Sequence, residues 1–348
     1  MKKILTIMAK TILATILVAL FSALFVYMQG VQYAIALVTN SWENPLFDSS
    51  ALSPEKNCDA AQACASGPIR VLTFNVLCRI CTKDEEKAKV YEDWYQRLPH
   101  LRALVADYQP DLVGFQELGG WKDVNEMNPD PALYEPLGHE FGPWIYADAV
   151  LFYRKDRFEA LESGQFWLSK KPSLPFSFAW KPLSMPRQLN WAHLRQRDNG
   201  FEFLYMNTHF DNNTDNKEPT AVLVNSTFTP HAARLPVVFT GDFNTTHDTQ
   251  RYRNLLFGLG EENVRDLYNT ADLAAQKEEF SITSQAGPDQ PGEPLATLDN
   301  IIDHVFVAAP GEVKVNRWVV DRRGYGPDSK PPSDHPAVFA EVEFSLRK

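Results

Sequence analysis

The segment PVVFTGDFNTTHD, residues 236–248, runs an apolar β stretch into a glycine and then delivers Asp242 and Asn244 almost side by side. Gly, Asp and Asn are ordinary turn residues, so this stretch alone reads as a turn as readily as a reactive centre. The pattern recurs along the chain. Asn75 ends LTFNV, Glu117 ends GFQE, His209 and Asp211 end NTHFD, Asp303 interrupts IIDHVFV, and Asp334 and His335 stand together in SDHPAV. Each has a plain structural reading: a strand-end cap for Asp303, a satisfied core histidine for His209, a turn cap for Asp334. As a set they put carboxylates, amides and imidazoles where apolar strands end, and ligand crevices in open α/β sheets lie at such edges.

Carboxylate and amide oxygens without cysteine suit a hard cation, Mg²⁺ or Mn²⁺. Such an ion polarises a phosphoryl oxygen and neutralises charge that builds during phosphoryl transfer. Hydrolysis also needs a group that orients and deprotonates water, and an Asp with a His nearby supplies one. The chain contains no GxSxG, HExxH or Walker loop, so water rather than a side chain is the expected nucleophile.

Alternating helices and strands must position these residues. IRVLTFNVL is β-branched and apolar and ends in Asn75; DLVGFQEL is the next strand, with Glu117 at its end. Between them, YEDWYQRLPHLRALVADY has helical apolar spacing and stops before Pro110, as a helix should. AVLFYRKDRFEALESGQFWLS reads as two strands around a charged turn, and LNWAHLRQRDNGFEFLYMNTHF as a hairpin about DNG. LPVVFTGDFN, NIIDHVFV and AVFAEVEF supply three more strands. Strands of both kinds, some linked as hairpins, indicate an α/β sandwich rather than a purely parallel sheet.

In order, LTFNV, GFQE, FWLS, NTHFD, GDFN, IDH and SDH resemble the endonuclease/exonuclease/phosphatase superfamily of deoxyribonuclease I, apurinic endonucleases, inositol-polyphosphate phosphatases and neutral sphingomyelinases. Each motif is short; the ordered series, from residue 69 to the C-terminus, is specific. The resemblance implies a four-layer sandwich, two packed mixed β-sheets flanked by helices, with a metal site at one end. It implies that Glu117 is the principal metal ligand, with Asn75 beside it and Asp334 near the metal. Asp242 would activate the attacking water, with Asn244 on a phosphate oxygen. His335, held by Asp303, would contact the scissile phosphate. His209 would be the second histidine, for phosphate contact or leaving-group protonation, and Arg187 a substrate-side arginine. Two positions depart from the pattern. Leu77 stands where apurinic endonucleases place an acid, which puts a second metal in doubt, and Asn212 and Asn213 follow NTHFD where relatives often have His or Arg.

The 348 residues carry a net charge of −10, with Lys2, Lys3 and Lys10 at the extreme N-terminus. That balance disfavours non-specific grip on a polyanion, which takes many cationic contacts. The uncharged apolar run 11–28 is close to the length that spans a bilayer. Residues 1–30 are therefore expected to form an N-terminal membrane helix, 31–68 a linker and 69–348 the catalytic domain, outside the cytoplasm. Cleavage near Ala34 and Ala36, giving a secreted or periplasmic protein, is the alternative. Cys58, Cys64, Cys78 and Cys81 admit three disulfide pairings, and CRIC also reads as half of a zinc site without its second half. The expected activity is that of a metal-dependent phosphodiesterase on a small-molecule, lipid-headgroup or nucleic-acid phosphoester. A nuclease, a phosphomonoesterase or a non-catalytic binding module are the rivals, and no protein partner is implied.

Overall fold

The computed structural model describes residues 8, 10–24, 65–138, 148–173, 177–181, 184–259, 267–281, 301–326 and 329–346. Strand β1, Ile69–Asn75, is apolar on both faces: Ile69 and Val71 join one buried cluster, Leu72 and Phe74 another. Strand β7, Glu202–His209, and strand β8, Val237–Asp242, divide the same way, with Phe203, Tyr205 and Val238 on one side and Leu204, Met206 and Phe239 on the other. Period-two alternation with both faces apolar marks strands covered on both sides.

These strands lie in two mixed sheets. The first has the order β10 (Ala274–Ser281), β12 (Gly311–Arg322), β13 (Ala337–Leu346), β1, β2 (Leu112–Gln116), β4 (Val150–Arg154), β3 (Tyr134–Leu137). The second runs β5 (Phe158–Trp167), β6 (Gln188–Gln196), β7, β8, β11 (Asp303–Ala308), β9 (Tyr268–Asn269). One apolar cluster fills the space between them. Leu101, Val105 and Val124, from helices Trp94–Tyr108 and Trp121–Met127, cover the first sheet. Val224, Phe228 and Leu255, from helices Thr214–Ala232 and Gln250–Phe257, cover the second. The result is the expected four-layer sandwich.

Most strands keep the bounds their sequences suggest. The DNG hairpin joins β6 to β7, with Gly200 at φ +75. The charged turn after β4 behaves differently: β4 and β5 belong to different sheets, so this turn carries the chain across the sandwich. Helix Trp94–Tyr108 starts with the Gln96 side chain accepting from the Asp93 N–H and ends at Gln109, φ 43, just before Pro110.

Register gathers the polar strand ends at one edge. Parallel pairing sets Asn75 beside Gln116, and His209 beside Asp242. Antiparallel pairing sets Asp303 beside Asp242, and Val338 beside Thr73, so the start of β13 meets the end of β1. Beneath that edge Gln116 Nε2 donates to Asn207 Oδ1 (2.8 Å) and Asn207 Nδ2 to the Phe115 carbonyl (3.0 Å), tying the sheets together. The approach is close enough that a Cβ on Gly114 would overlap Thr240 Oγ1 and lie 2.5 Å from Asn207 Oδ1. Gly241, just before Asp242, has the same constraint: its Cβ would stand 2.6 Å from the Thr208 carbonyl of the neighbouring strand.

Residues 10–24 are helical with exposed apolar side chains such as Val18 and Phe21. Among the described residues no helix is long and apolar enough to cross a membrane, so the expected membrane helix is not supported. Residues 25–28 of the expected span, most of the 31–68 linker, Cys58 and Cys64 lie outside the described residues. Cys78 and Cys81 are bonded to each other, which replaces the half-zinc reading of CRIC with a disulfide.

Candidate active site

Asn75 and Glu117 come from adjacent parallel strands of the first sheet. The Asn75 amide donates to Glu117 Oε1 (3.2 Å) and to Asp242 Oδ2 (3.0 Å), bridging the two sheets. The Cys78 N–H holds the other Glu117 oxygen at 2.8 Å. Among the described contacts no cationic side chain pairs with this half-buried carboxylate. Leu77, Glu117 and Asn244 all adopt left-handed backbone, φ 54, 69 and 47. For non-glycine residues that conformation is strained, and it persists where surrounding bonds over-determine it.

Around Asp242, carboxylates and imidazoles alternate. Asp148 Oδ1 lies 2.9 Å from His209 Nδ1, and His209 Nε2 lies 3.3 Å from Asp242 Oδ2. His335 Nε2 faces the same Asp242 oxygen at 3.8 Å, while its Nδ1 meets Asp303 Oδ2 at 2.8 Å. Arg187 closes the row: its Nη1 is 2.6 Å from Asp148 Oδ2 and 2.8 Å from His209 Nδ1. With Asp148 as acceptor, His209 Nδ1 carries its proton toward that carboxylate, and Arg187 and His209 share it.

Burial opposes charge throughout this row, and the neighbours overcome it. For His209, burial by itself lowers the imidazole pKa, and Asp148 and Asp242 together more than offset it, so the net direction is upward. His335 is held well above the ordinary imidazole value, since Asp303 and Asp242 more than offset its desolvation. Asp242 is almost fully buried, yet His335 and His209 keep its carboxyl below the ordinary range. Burial pushes Asp303 up to about 6 even against His335. The row alternates three carboxylates with two imidazoles whose charged forms those carboxylates favour, an arrangement able to receive a proton at Asp242 and to face a phosphate with positive charge.

The remaining expected residues take other positions. Asn244 commits one amide hydrogen to the Phe210 carbonyl (3.0 Å), while its backbone N–H donates to Asp242 Oδ1 (2.8 Å), so it fixes that carboxylate. Asp211 accepts from the Asn213 N–H (3.0 Å) and Asn216 Nδ2 (2.5 Å), organising the turn into helix Thr214–Ala232. Asp334 pairs with Lys87 Nζ (2.7 Å) and approaches Ser333 Oγ (3.5 Å). The sequence reading missed Asp148, which also accepts the Glu117 N–H (3.0 Å). It precedes its strand rather than ending it; a lone Asp before the apolar run AVLFY was the available signal.

The donors fit a hard cation. Glu117 offers oxygens bonded only to neutral donors, Asn75 lies against it, and the two nearby sulfurs are tied in a disulfide. Asp242, Asp303 and His335 also come within ligand reach of one another. That cluster is already balanced by imidazolium charge, and the Glu117 side is not.

The model of the endonuclease/exonuclease/phosphatase family matches residues 72–335. An endonuclease/exonuclease/phosphatase family protein from Bacteroides thetaiotaomicron is similar in structure, with TM-score 0.66 and 26% identity over 81% of this chain and 96% of that one. A mannosyl-6-phosphatase of the same organism gives TM-score 0.63 and 26% identity over 79% of this chain and 99% of that one. The human Nocturnin catalytic domain with bound sulfate shares the fold, with TM-score 0.56 and 20% identity over 80% of this chain and 94% of that one. The chain matches no curated protein.

Proposed function

The chain belongs to the endonuclease/exonuclease/phosphatase family, and we propose that it hydrolyses a small phosphoester, preferentially a phosphodiester, with water activated by Asp242. The observation that carries this reading is Asp242 itself: a buried carboxylate fixed by Asn75 and Asn244 and flanked by two imidazoles. Fixed acceptors of this kind orient water and take its proton. Glu117 and Asn75 would hold Mg²⁺ or Mn²⁺, which when bound polarises the phosphoryl oxygen and offsets its developing charge. His335, oriented by Asp303, presents Nε2–H to a phosphate oxygen. His209, oriented by Asp148, is the second donor and stands next to Arg187, where it can protonate the leaving group.

The chain's acidity and these few cationic donors favour small or headgroup phosphodiesters over long polyanions. A phosphomonoester is the second reading, favoured by the similarity to a mannosyl-6-phosphatase. A panel of bis-aryl phosphate, aryl monophosphate, phospholipid micelles and plasmid DNA, at low and moderate salt, decides. The expected order puts the diester first with weak salt dependence; plasmid cleavage that dominates and collapses with salt overturns it.

An extracytoplasmic location follows as part of the proposal, supported by the Cys78–Cys81 disulfide, a bond of oxidising compartments. Protease added to spheroplasts should cut within 31–68 and release the domain; a domain protected until lysis contradicts this.

A further inference from the structure

The disulfide sits against the candidate active site. Cys81 Sγ lies 3.6 Å from Glu117 Oε2, the oxygen held by the Cys78 N–H, and a disulfide sulfur has no proton to donate across that gap. One ligand atom from each of Cys78, Cys81 and Glu117 falls within 4.8 Å of the others. The turn that brings the sulfurs together is also held without the S–S bond. The Cys81 N–H donates to the Cys78 carbonyl at 3.0 Å, and Arg97 holds the Val76 and Leu77 carbonyls at 2.8 Å each. Breaking the sulfur bond therefore leaves two thiols and a carboxylate already gathered.

The place is accessible. The two cysteines and Glu117 line an open pocket of about 560 Å³ that also reaches Arg187 and His209, with Ile80 65% exposed at the turn's tip. The cations on the same wall are engaged elsewhere: Arg79 Nε with Asp123 (2.7 Å), and Lys122 Nζ with the Tyr95 hydroxyl (2.8 Å).

We propose that Cys78, Cys81 and Glu117 form, when the disulfide is reduced, a site for a thiophilic divalent cation such as Zn²⁺. A dithiol reductant supplies two electrons and two protons: the S–S bond breaks, two S–H bonds form, and the reductant closes to its own disulfide. Zn²⁺ then displaces both thiol protons to solvent and takes two thiolates, a Glu117 oxygen and a water. Thiolates select such an ion, whereas Glu117 with oxygen partners selects a hard one. The redox state of one turn thus decides which cation Glu117 serves, and Zn²⁺ capture should withdraw it from phosphoester hydrolysis. That last consequence rests on the function proposed above; capture of the ion does not.

The test uses Co²⁺ as a spectroscopic probe on full-length wild type, C78S and C81S, each reduced with dithiothreitol and desalted anaerobically. Cys58 and Cys64 are common to all three, and circular dichroism establishes that each is folded. Reduced wild type should develop a sulfur-to-cobalt charge-transfer band that Zn²⁺ abolishes. Oxidised wild type and both reduced variants should lack that increment, and E117Q should weaken Co²⁺ binding at least about tenfold, in the range for loss of a group supporting a metal. An identical band in reduced wild type and C81S, or none in either, overturns the site. A band with phosphoesterase activity undiminished by stoichiometric Zn²⁺ overturns only the consequence for Glu117.

Discussion

His335 Nδ1 lies 2.8 Å from Asp303 Oδ2, and its Nε2 points to Asp242 Oδ2 at 3.8 Å. One imidazole thus links the two carboxylates paired in register across β8 and β11. In the proposed mechanism Asp303 acts through His335 and not on the substrate. His335→Ala should therefore lower kcat/KM by at least about 10²-fold, the scale of losing a positioned acid or base. Asp303→Asn should cost less, and kinetics on folded variants check the order. A larger loss in Asp303→Asn would reverse the roles.

The same pair sets an acid limit. Burial raises Asp303 to about 6, so the carboxylate that holds His335 charged and oriented is lost as pH falls through that value. Activity should drop below about pH 6 and level off above it, and Asp303→Asn should remove or move that limb. An unchanged limb in the variant assigns it to another group.

Asp148 makes a prediction the strand-end pattern did not reach. It is buried and shared by His209 and Arg187, so Asp148→Ala leaves both cations short of their carboxylate. Breaking a buried pair of this kind costs roughly 3–5 kcal/mol, readable as a lower midpoint in urea unfolding. Asp148→Asn, which keeps the shape, should unfold later than Asp148→Ala yet still lose activity through His209. Wild-type stability in Asp148→Ala contradicts the pairing.

Gly114 tests how the sheets approach. Its Cβ would overlap Thr240 and crowd Asn207, and overpacking of this sort costs roughly 1–3 kcal/mol. Gly114→Ala should be destabilised by that amount in urea and lose activity through the displaced Asn75–Asp242 bridge. A neutral effect means the sheets move apart freely.

Much of this was legible because strand ends are legible. A β run read to its last apolar residue placed Asn75, Glu117, His209 and Asp242 at strand ends, and register brought these together with Asp303, which opens β11, at one edge of the sandwich. Asp148 escaped because it lies two residues ahead of β4, and a lone Asp before an apolar run carries no periodic signal. Asp334 stands beside His335 in sequence, yet its own bond goes to Lys87, a pairing across 247 residues that sequence spacing does not reveal. Helix Thr214–Ala232 contains Pro219 and Pro230 and little apolar periodicity, so its residues argued against the helix that packing against β7 and β8 selects. Cysteine pairing depended on the tight turn after Leu77, a conformation sequence spacing does not encode.

Activity in EDTA-treated protein should vanish and return with Mg²⁺ or Mn²⁺, as a carboxylate and amide site of this kind requires. Full activity in EDTA excludes the hard-cation role given to Glu117 and Asn75.

Asp242→Asn is the most direct test, because it keeps the shape and the Asn244 contact and removes the base. With Mg²⁺ saturating and folding established by circular dichroism, kcat on a bis-aryl phosphate should fall by at least about 10²-fold, the loss expected of a general base. A folded Asp242→Asn that turns over like wild type would show that water is activated elsewhere.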